Sequence, residues 1–81
     1  MKIVHSKYLE VYPTSVKNEL NVSSNEDLSA EIFDLLGRSI KQVNIISGGD
    51  TIDLSDLSTQ PYILRFTSES GNTITKKIVK K

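Results

Sequence analysis

The 81-residue chain has no cysteine, which excludes disulfide staples and cysteine-rich metal sites but says little about redox compartment. It has no excess of either charge: ten basic and ten acidic residues cancel to a formal net charge of zero. Nothing in that balance supports broad electrostatic binding to nucleic acid. No apolar run approaches the ~20 residues of a membrane span. Met1-Lys2-Ile3-Val4-His5-Ser6 is basic and briefly apolar, yet it lacks the apolar core, ~7–15 residues long, of a secretory signal. The single histidine, His5, stands in that weakly patterned lead-in, and no Gly-x-Ser-x-Gly elbow accompanies any serine. A chain of this length makes one domain and buries roughly 60–65% of its unfolded surface, enough for one small core and little for a deep catalytic cleft.

Cofactor patterns are equally thin. Asp53 and Asp56 suggest a calcium loop only until the missing Asp-x-Asp-x-Asp-Gly pattern and its closing Glu are considered. Asp56 reads better as a turn cap, and Asp53 as a solvent-facing residue between Ile52 and Leu54. Gly48-Gly49 is followed by Asp50, an acid that would repel phosphate, and by no Gly-Lys-Ser/Thr. No cofactor, metal or catalytic residue is expected, and the chain is read as a non-enzyme.

What the sequence does have is short β-branched runs divided by turn chemistry. The clearest turn lies in Ile32-Phe33-Asp34-Leu35-Leu36-Gly37-Arg38. An Asp opening a tight turn accepts backbone N–H bonds, and a Gly three positions on takes the positive φ that other residues resist. The spacing of Asp34 and Gly37 predicts a hairpin whose type I turn closes onto a Gly bulge. A short helix over residues 29–36 competes, since Ala30, Glu31, Leu35 and Leu36 are good helix formers; the strand-like flanks favour the hairpin.

Either side of it, Leu9-Glu10-Val11-Tyr12 alternates until Pro13 stops it, residues 14–18 are turn-like, and residues 19–23 alternate with Leu20 and Val22 on one face. Leu28, Ala30 and Ile32 share a face, so one of Ile32 and Phe33 should face outward or pack under a loop. The return strand, 38–46, changes parity between Ile40 and Val43, predicting a bulge near Lys41-Gln42. Strands follow over 51–54, 62–67 with Tyr62, Leu64 and Phe66 inward, and 73–80 with Ile74 and Ile78 sharing a face. About seven short strands at roughly ten-residue spacing argue for an all-β fold, an immunoglobulin-like antiparallel β-sandwich. Leu57 and Tyr62 flank the crossover into the sixth strand, where such sandwiches place a tyrosine whose hydroxyl bonds backbone upstream. Charge is uneven: Asp50, Asp53 and Asp56 cluster, and Lys76, Lys77, Lys80 and Lys81 load the last six residues.

Taken in order, these pieces resemble the C-terminal sorting domain of the type IX (Por) secretion system of Bacteroidetes. Val11-Tyr12-Pro13 with Leu20-Asn21-Val22 is similar to the family's opening Tyr-Pro-Asn-Pro segment and next strand. Asp34-Leu35-Leu36-Gly37-Arg38 is similar to its Asp-x-x-Gly-Arg hairpin. Ile52-Asp53-Leu54-Ser55-Asp56-Leu57 with Tyr62-Ile63-Leu64-Arg65 resembles its Ile-Asp-Leu-Ser-x-Leu and Gly-x-Tyr strand pair, and Thr75-Lys76-Lys77-Ile78-Val79-Lys80-Lys81 its basic end. Thr14-Ser15 stands where the family usually has Asn-Pro, and Gln60-Pro61 where a Gly usually precedes the residue before Tyr62.

The resemblance implies a targeting module: residues 1–7 a lead-in from an upstream cargo domain, residues 8–81 the sorting domain. The chain is then the end of a longer exported protein that passes through the periplasm to the medium or the cell surface. Its partners are the outer-membrane secretion machinery and, in many relatives, a sortase-like peptidase that removes the domain while attaching the cargo to lipopolysaccharide. Lys76, Lys77, Ile78, Val79, Lys80 and Lys81 are the expected recognition residues, on a final strand at a sheet edge; a weak edge-strand dimer is a further expectation. Tyr12, Pro13, Asp34, Gly37, Arg38, Leu57 and Tyr62 are expected to define the fold. The competing class is a fibronectin-like spacer or carbohydrate-binding module, which would carry an exposed aromatic patch or a calcium loop.

Overall fold

The computed structural model describes residues 9–81; the lead-in over residues 1–7, with His5, and Tyr8 lie outside the described residues. Among the described residues eight strands run in the order β1 (Leu9–Tyr12), β2 (Ser15–Val16), β3 (Glu19–Ser24), β4 (Leu28–Phe33), β5 (Ser39–Ile45), β6 (Asp50–Asp53), β7 (Pro61–Ser68) and β8 (Thr73–Lys80). They form a three-stranded sheet, β1-β3-β6, and a five-stranded sheet, β2-β8-β7-β4-β5. There is no helix among the described residues. Helical periodicity would have split Ala30 from Ile32; strand periodicity sends both to the core, where each is fully buried.

Two-residue alternation supplies the core from both sheets. Leu20 and Val22 of β3 and Ile52 of β6 meet Ala30 and Ile32 of β4, Tyr62, Leu64 and Phe66 of β7 and Ile78 of β8. Phe33, the other member of its pair with Ile32, is half-buried on the outer face of the larger sheet, where the Arg65 guanidinium lies 5.0 Å from its ring centre.

Three features differ from the sequence reading. Within the turn-like residues 14–18, Ser15 and Val16 form β2, which pairs parallel with Val79 and Lys80 of β8. A two-residue strand has no periodicity to read, and its sole apolar residue, Val16, is fully buried. Every other strand pair among the described residues is antiparallel. Secondly, the bulge in β5 falls at Ile40: Ile32 pairs with Lys41 and Phe33 with Ser39, leaving Ile40 as the extra residue just before the expected Lys41-Gln42.

The third difference concerns β8, which is not a bare edge strand. It lies between β7 and β2, and β2 covers only its last residues. Hydrogen-bond parity shows which groups remain open. The Lys80 N–H donates to the Gln60 carbonyl (3.0 Å) and the Ser68 N–H to the Asn72 carbonyl (2.9 Å), so even-numbered β8 residues bond to β7. Odd-numbered residues face the other way: the Val79 N–H donates to the Thr14 carbonyl (2.8 Å) and the Lys81 N–H to the Val16 carbonyl (2.7 Å). Thr73, Thr75 and Lys77 share that outward parity but lie before β2 begins to pair.

Candidate functional site

The six expected recognition residues divide by parity rather than forming one patch. Ile78 belongs to the core, and Lys80, on the same face, is only 7% exposed, with Nζ donating to the Lys81 carbonyl at 3.1 Å. Lys80 is thus a packed residue and not part of a solvated basic end. Val79 is 40% exposed on the outer face, its backbone clamped by Thr14. Lys76 and Lys77 are exposed and form no ion pair among the described residues. The structure therefore brings together two free cations and the outward N–H and C=O groups of Thr73, Thr75 and Lys77 on one open strand edge. Apolar and polar residues alternate poorly along β8, so nothing in its sequence marks where the open stretch stops.

The motif at 34–38 is structural in detail. The Gly37 N–H donates to the Asp34 carbonyl (3.0 Å) and the Asp34 N–H to the Arg38 carbonyl (3.0 Å), with Gly37 at φ +86°. Asp34 Oδ1 accepts the N–H groups of Leu36 (3.0 Å) and Arg38 (2.9 Å), and Oδ2 accepts Arg38 Nε–H (2.7 Å). The Arg38 backbone N–H, helped by its guanidinium and by the Leu36 N–H, holds the Asp34 carboxyl below its usual value, against the opposing effect of burial. This turn leaves Leu35 and Leu36 exposed at its tip.

Tyr62 is the corner tyrosine that the crossover predicts. Its hydroxyl donates to the Ser58 carbonyl at 3.0 Å and is met by the Ser58 hydroxyl (3.0 Å) and the Gln60 amide nitrogen (3.0 Å). Leu57 packs against the core beneath it. Pro61 is accommodated as the first residue of β7, and Pro13 follows the last residue of β1, Tyr12, whose side chain is exposed.

The acidic side chains serve backbone and lysine. Asp53 Oδ1 accepts the Ser55 hydroxyl (2.7 Å) and N–H (2.9 Å), which lowers its pKa, so Asp53 caps the turn assigned from sequence to Asp56. Asp56 instead takes Lys41 Nζ at 3.3 Å. Asp27 and Asp50 accept the N–H groups of Ser47 (2.8 Å) and Ile46 (3.1 Å). The Gly48 N–H is spent on the Ser24 carbonyl (2.7 Å) and not available to a phosphate. No three His, Asp or Glu side chains converge as metal ligands among the described residues.

One further surface escapes sequence reading. On the outer face of the larger sheet, Glu31 accepts Arg65 Nη2 (3.0 Å) and the Ser39 hydroxyl (2.7 Å). Beside them an open depression of about 420 Å³ is lined by Phe33, Leu35, Ile63, Arg65 and Thr75. Only three-dimensional pairing of β4, β5, β7 and β8 assembles this group.

Three comparisons bear on this arrangement. A DUF3244 family protein from Bacteroides vulgatus, a crystal structure with an immunoglobulin-like β-sandwich fold, superposes with a TM-score of 0.75 at 19% identity, covering 90% of this chain and 84% of that one. That likeness fixes the fold. Beta-agarase D of Zobellia galactanivorans is 34% identical over 71 residues; the match takes in 88% of this chain and 14% of that protein, so the chain spans a small part of its relative. The secretion system C-terminal sorting domain family matches residues 10–81, a stretch that includes all eight strands except the first residue of β1. The chain accordingly belongs to the C-terminal sorting domains of the type IX (Por) secretion system, modules of longer proteins destined for the medium or the cell surface.

Proposed function

We propose that this domain is a non-catalytic export signal read through the open edge of β8. The observation that carries the reading is the outward backbone of Thr73, Thr75 and Lys77, which no strand pairs among the described residues, with the Lys76 and Lys77 side chains beside it and the β2 clip bounding it. An extended segment of the outer-membrane machinery can add beside β8 there, taking main-chain bonds from Thr73, Thr75 and Lys77. Its acidic residues would find the two exposed ammonium groups. The expected recognition site thus shifts from the chain end toward the start of β8, because Val79–Lys81 backbone groups are already bonded within the domain. Removal of the domain by a sortase-like peptidase, with attachment of the cargo to the surface, is a further step of the same proposal.

Deleting residues 75–81 would also withdraw Ile78 from the core, so it tests folding and recognition together. Two substitutions separate them. Thr75→Pro removes an outward N–H without touching the bonds to β7, and Lys76→Glu/Lys77→Glu reverses the edge charge. With a reporter cargo fused upstream in a host carrying the machinery, the wild-type domain should deliver the reporter outside the cell. Both variants should retain it in the periplasm while still folding. Unchanged secretion of both overturns the edge reading. The size of the delivered reporter, with or without the domain, decides cleavage.

A further inference from the structure

The larger sheet has a second open edge, β5, and it is built differently from the β8 edge. The Asp34 N–H bond to the Arg38 carbonyl fixes the parity: even-numbered β4 residues bond to β5, through Lys41, Val43 and Ile45. Gln42 and Asn44 therefore direct their N–H and C=O groups away from the sheet, where no strand lies among the described residues. Open edges are ordinarily guarded by lysine, proline, extreme shortness or a bulge that twists the edge away; the bulge of β5 lies at Ile40 and leaves residues 41–45 in regular register. β5 is seven residues long with no proline. Its single charge, Lys41, is turned across the sandwich onto the Asp53 carbonyl (2.8 Å) and the Asp56 carboxylate. What lines the edge is neutral: Gln42, Asn44 and two exposed isoleucines, Ile40 at 42% and Ile46 at 65%.

We propose that β5 pairs with β5 of a second copy of this chain, antiparallel and about a two-fold axis through Val43. Parity selects this register. Gln42 of each copy then stands opposite Asn44 of the other, and these are the two residues whose backbone groups face outward. The regular stretch 41–45 then pairs with itself, and the exposed isoleucines, Ile40 at the bulge and Ile46 just past the strand, lie at its two ends. Charge fits as well: the edge presents no unpaired ion to an identical edge. Self-pairing through β8 would instead gather Lys76 and Lys77 of both copies. The product is one continuous sheet of ten strands from two five-stranded sheets. With so short a contact the association is weak and depends on concentration. It is independent of the export reading, since it uses the opposite edge of the sheet.

Sedimentation equilibrium of the 81-residue protein over a concentration series tests this, and a reversible monomer–dimer equilibrium is expected. Gln42→Lys/Asn44→Lys, at two exposed positions, should leave the melting curve in place and weaken the dimer by about tenfold or more. The absence of cysteine permits a second test. Val43 sits on the axis as a non-hydrogen-bonded pair, with Cα atoms ~4.5 Å apart, within disulfide range. Val43→Cys should therefore give a covalent dimer under mild oxidation, whereas Thr75→Cys on the β8 edge should stay monomeric. A protein monomeric up to its solubility limit overturns the proposal. So does a dimer indifferent to the two lysines, or one captured through Thr75→Cys and not Val43→Cys.

Discussion

The Tyr62 hydroxyl donates to the Ser58 carbonyl at 3.0 Å, tying the loop after β6 to the second residue of β7. Tyr62 is buried and is the largest side chain in the core, so the loop is fastened to the most constrained point of the sandwich. Tyr62→Phe keeps the ring and loses the donor, leaving the Ser58 carbonyl without this partner. The expected cost is ~1–2 kcal/mol. Urea unfolding should show a lower midpoint with an unchanged slope, because the surface exposed on unfolding stays the same. A midpoint equal to wild type would reduce this bond to an incidental contact.

Asp34 predicts a pH dependence with a definite sign. Its folded pKa lies below the usual 3.8, chiefly because the Arg38 N–H stabilises the carboxylate. The unfolded chain therefore binds this proton more readily than the folded one, and the stabilisation is fully present above the unfolded value. It is lost as pH falls below 3.8 toward the lower folded value. Asp34→Asn should be less stable than wild type at neutral pH, and the gap should narrow as acid is added below about pH 4. Thermal melts of both proteins over that range measure the gap; a constant difference would show that the charge contributes nothing.

At the same turn, Gly37 should be sensitive to substitution and Leu36 tolerant of it. Gly37 is held at φ +86°, and a Cβ placed there meets nothing within 4 Å. Gly37→Ala thus costs only the left-handed backbone, ~1 kcal/mol, with no clash to relieve. Leu36 touches solvent over most of its surface, so Leu36→Lys should change stability by no more than ~0.5 kcal/mol. Chemical denaturation of the two variants checks both, and a costly Leu36→Lys would mean the tip packs against something.

The parts of this fold legible in sequence are those that repeat or that use special backbone. Alternation in residues 62–67 and 28–32 announces the core faces, and Asp34 with Gly37 announces its turn, because each signal is local. Tyr62 was readable as a corner for the same reason. β2 was not, because its pairing with Val79 and Lys80 joins residues some sixty positions apart and involves only two of them. The burial of Lys80 follows from that pairing and was equally hidden: a run of lysines looks solvated until a neighbouring strand covers part of it. The exchange of capping duty between Asp53 and Asp56 depends on which carboxylate Lys41 reaches from another strand.

Amide exchange along β8 offers the sharpest check of where the open edge begins. The even-numbered residues Ile74, Lys76, Ile78 and Lys80 donate toward β7 and should exchange slowly. Val79 and Lys81 face outward but donate to Thr14 and Val16, so they should also be protected, limited by the opening of the two-residue β2. Thr73, Thr75 and Lys77 face outward before β2 begins, so their amides should exchange fastest in the strand. Val16→Ala sharpens the test. Removing part of a fully buried side chain from β2 should cost ~1–2 kcal/mol and speed exchange at Val79 and Lys81 selectively. Slow exchange at Thr75 and Lys77 in the isolated, monomeric domain would mean the edge is already covered. A receptor strand could then not add there without first displacing what covers it.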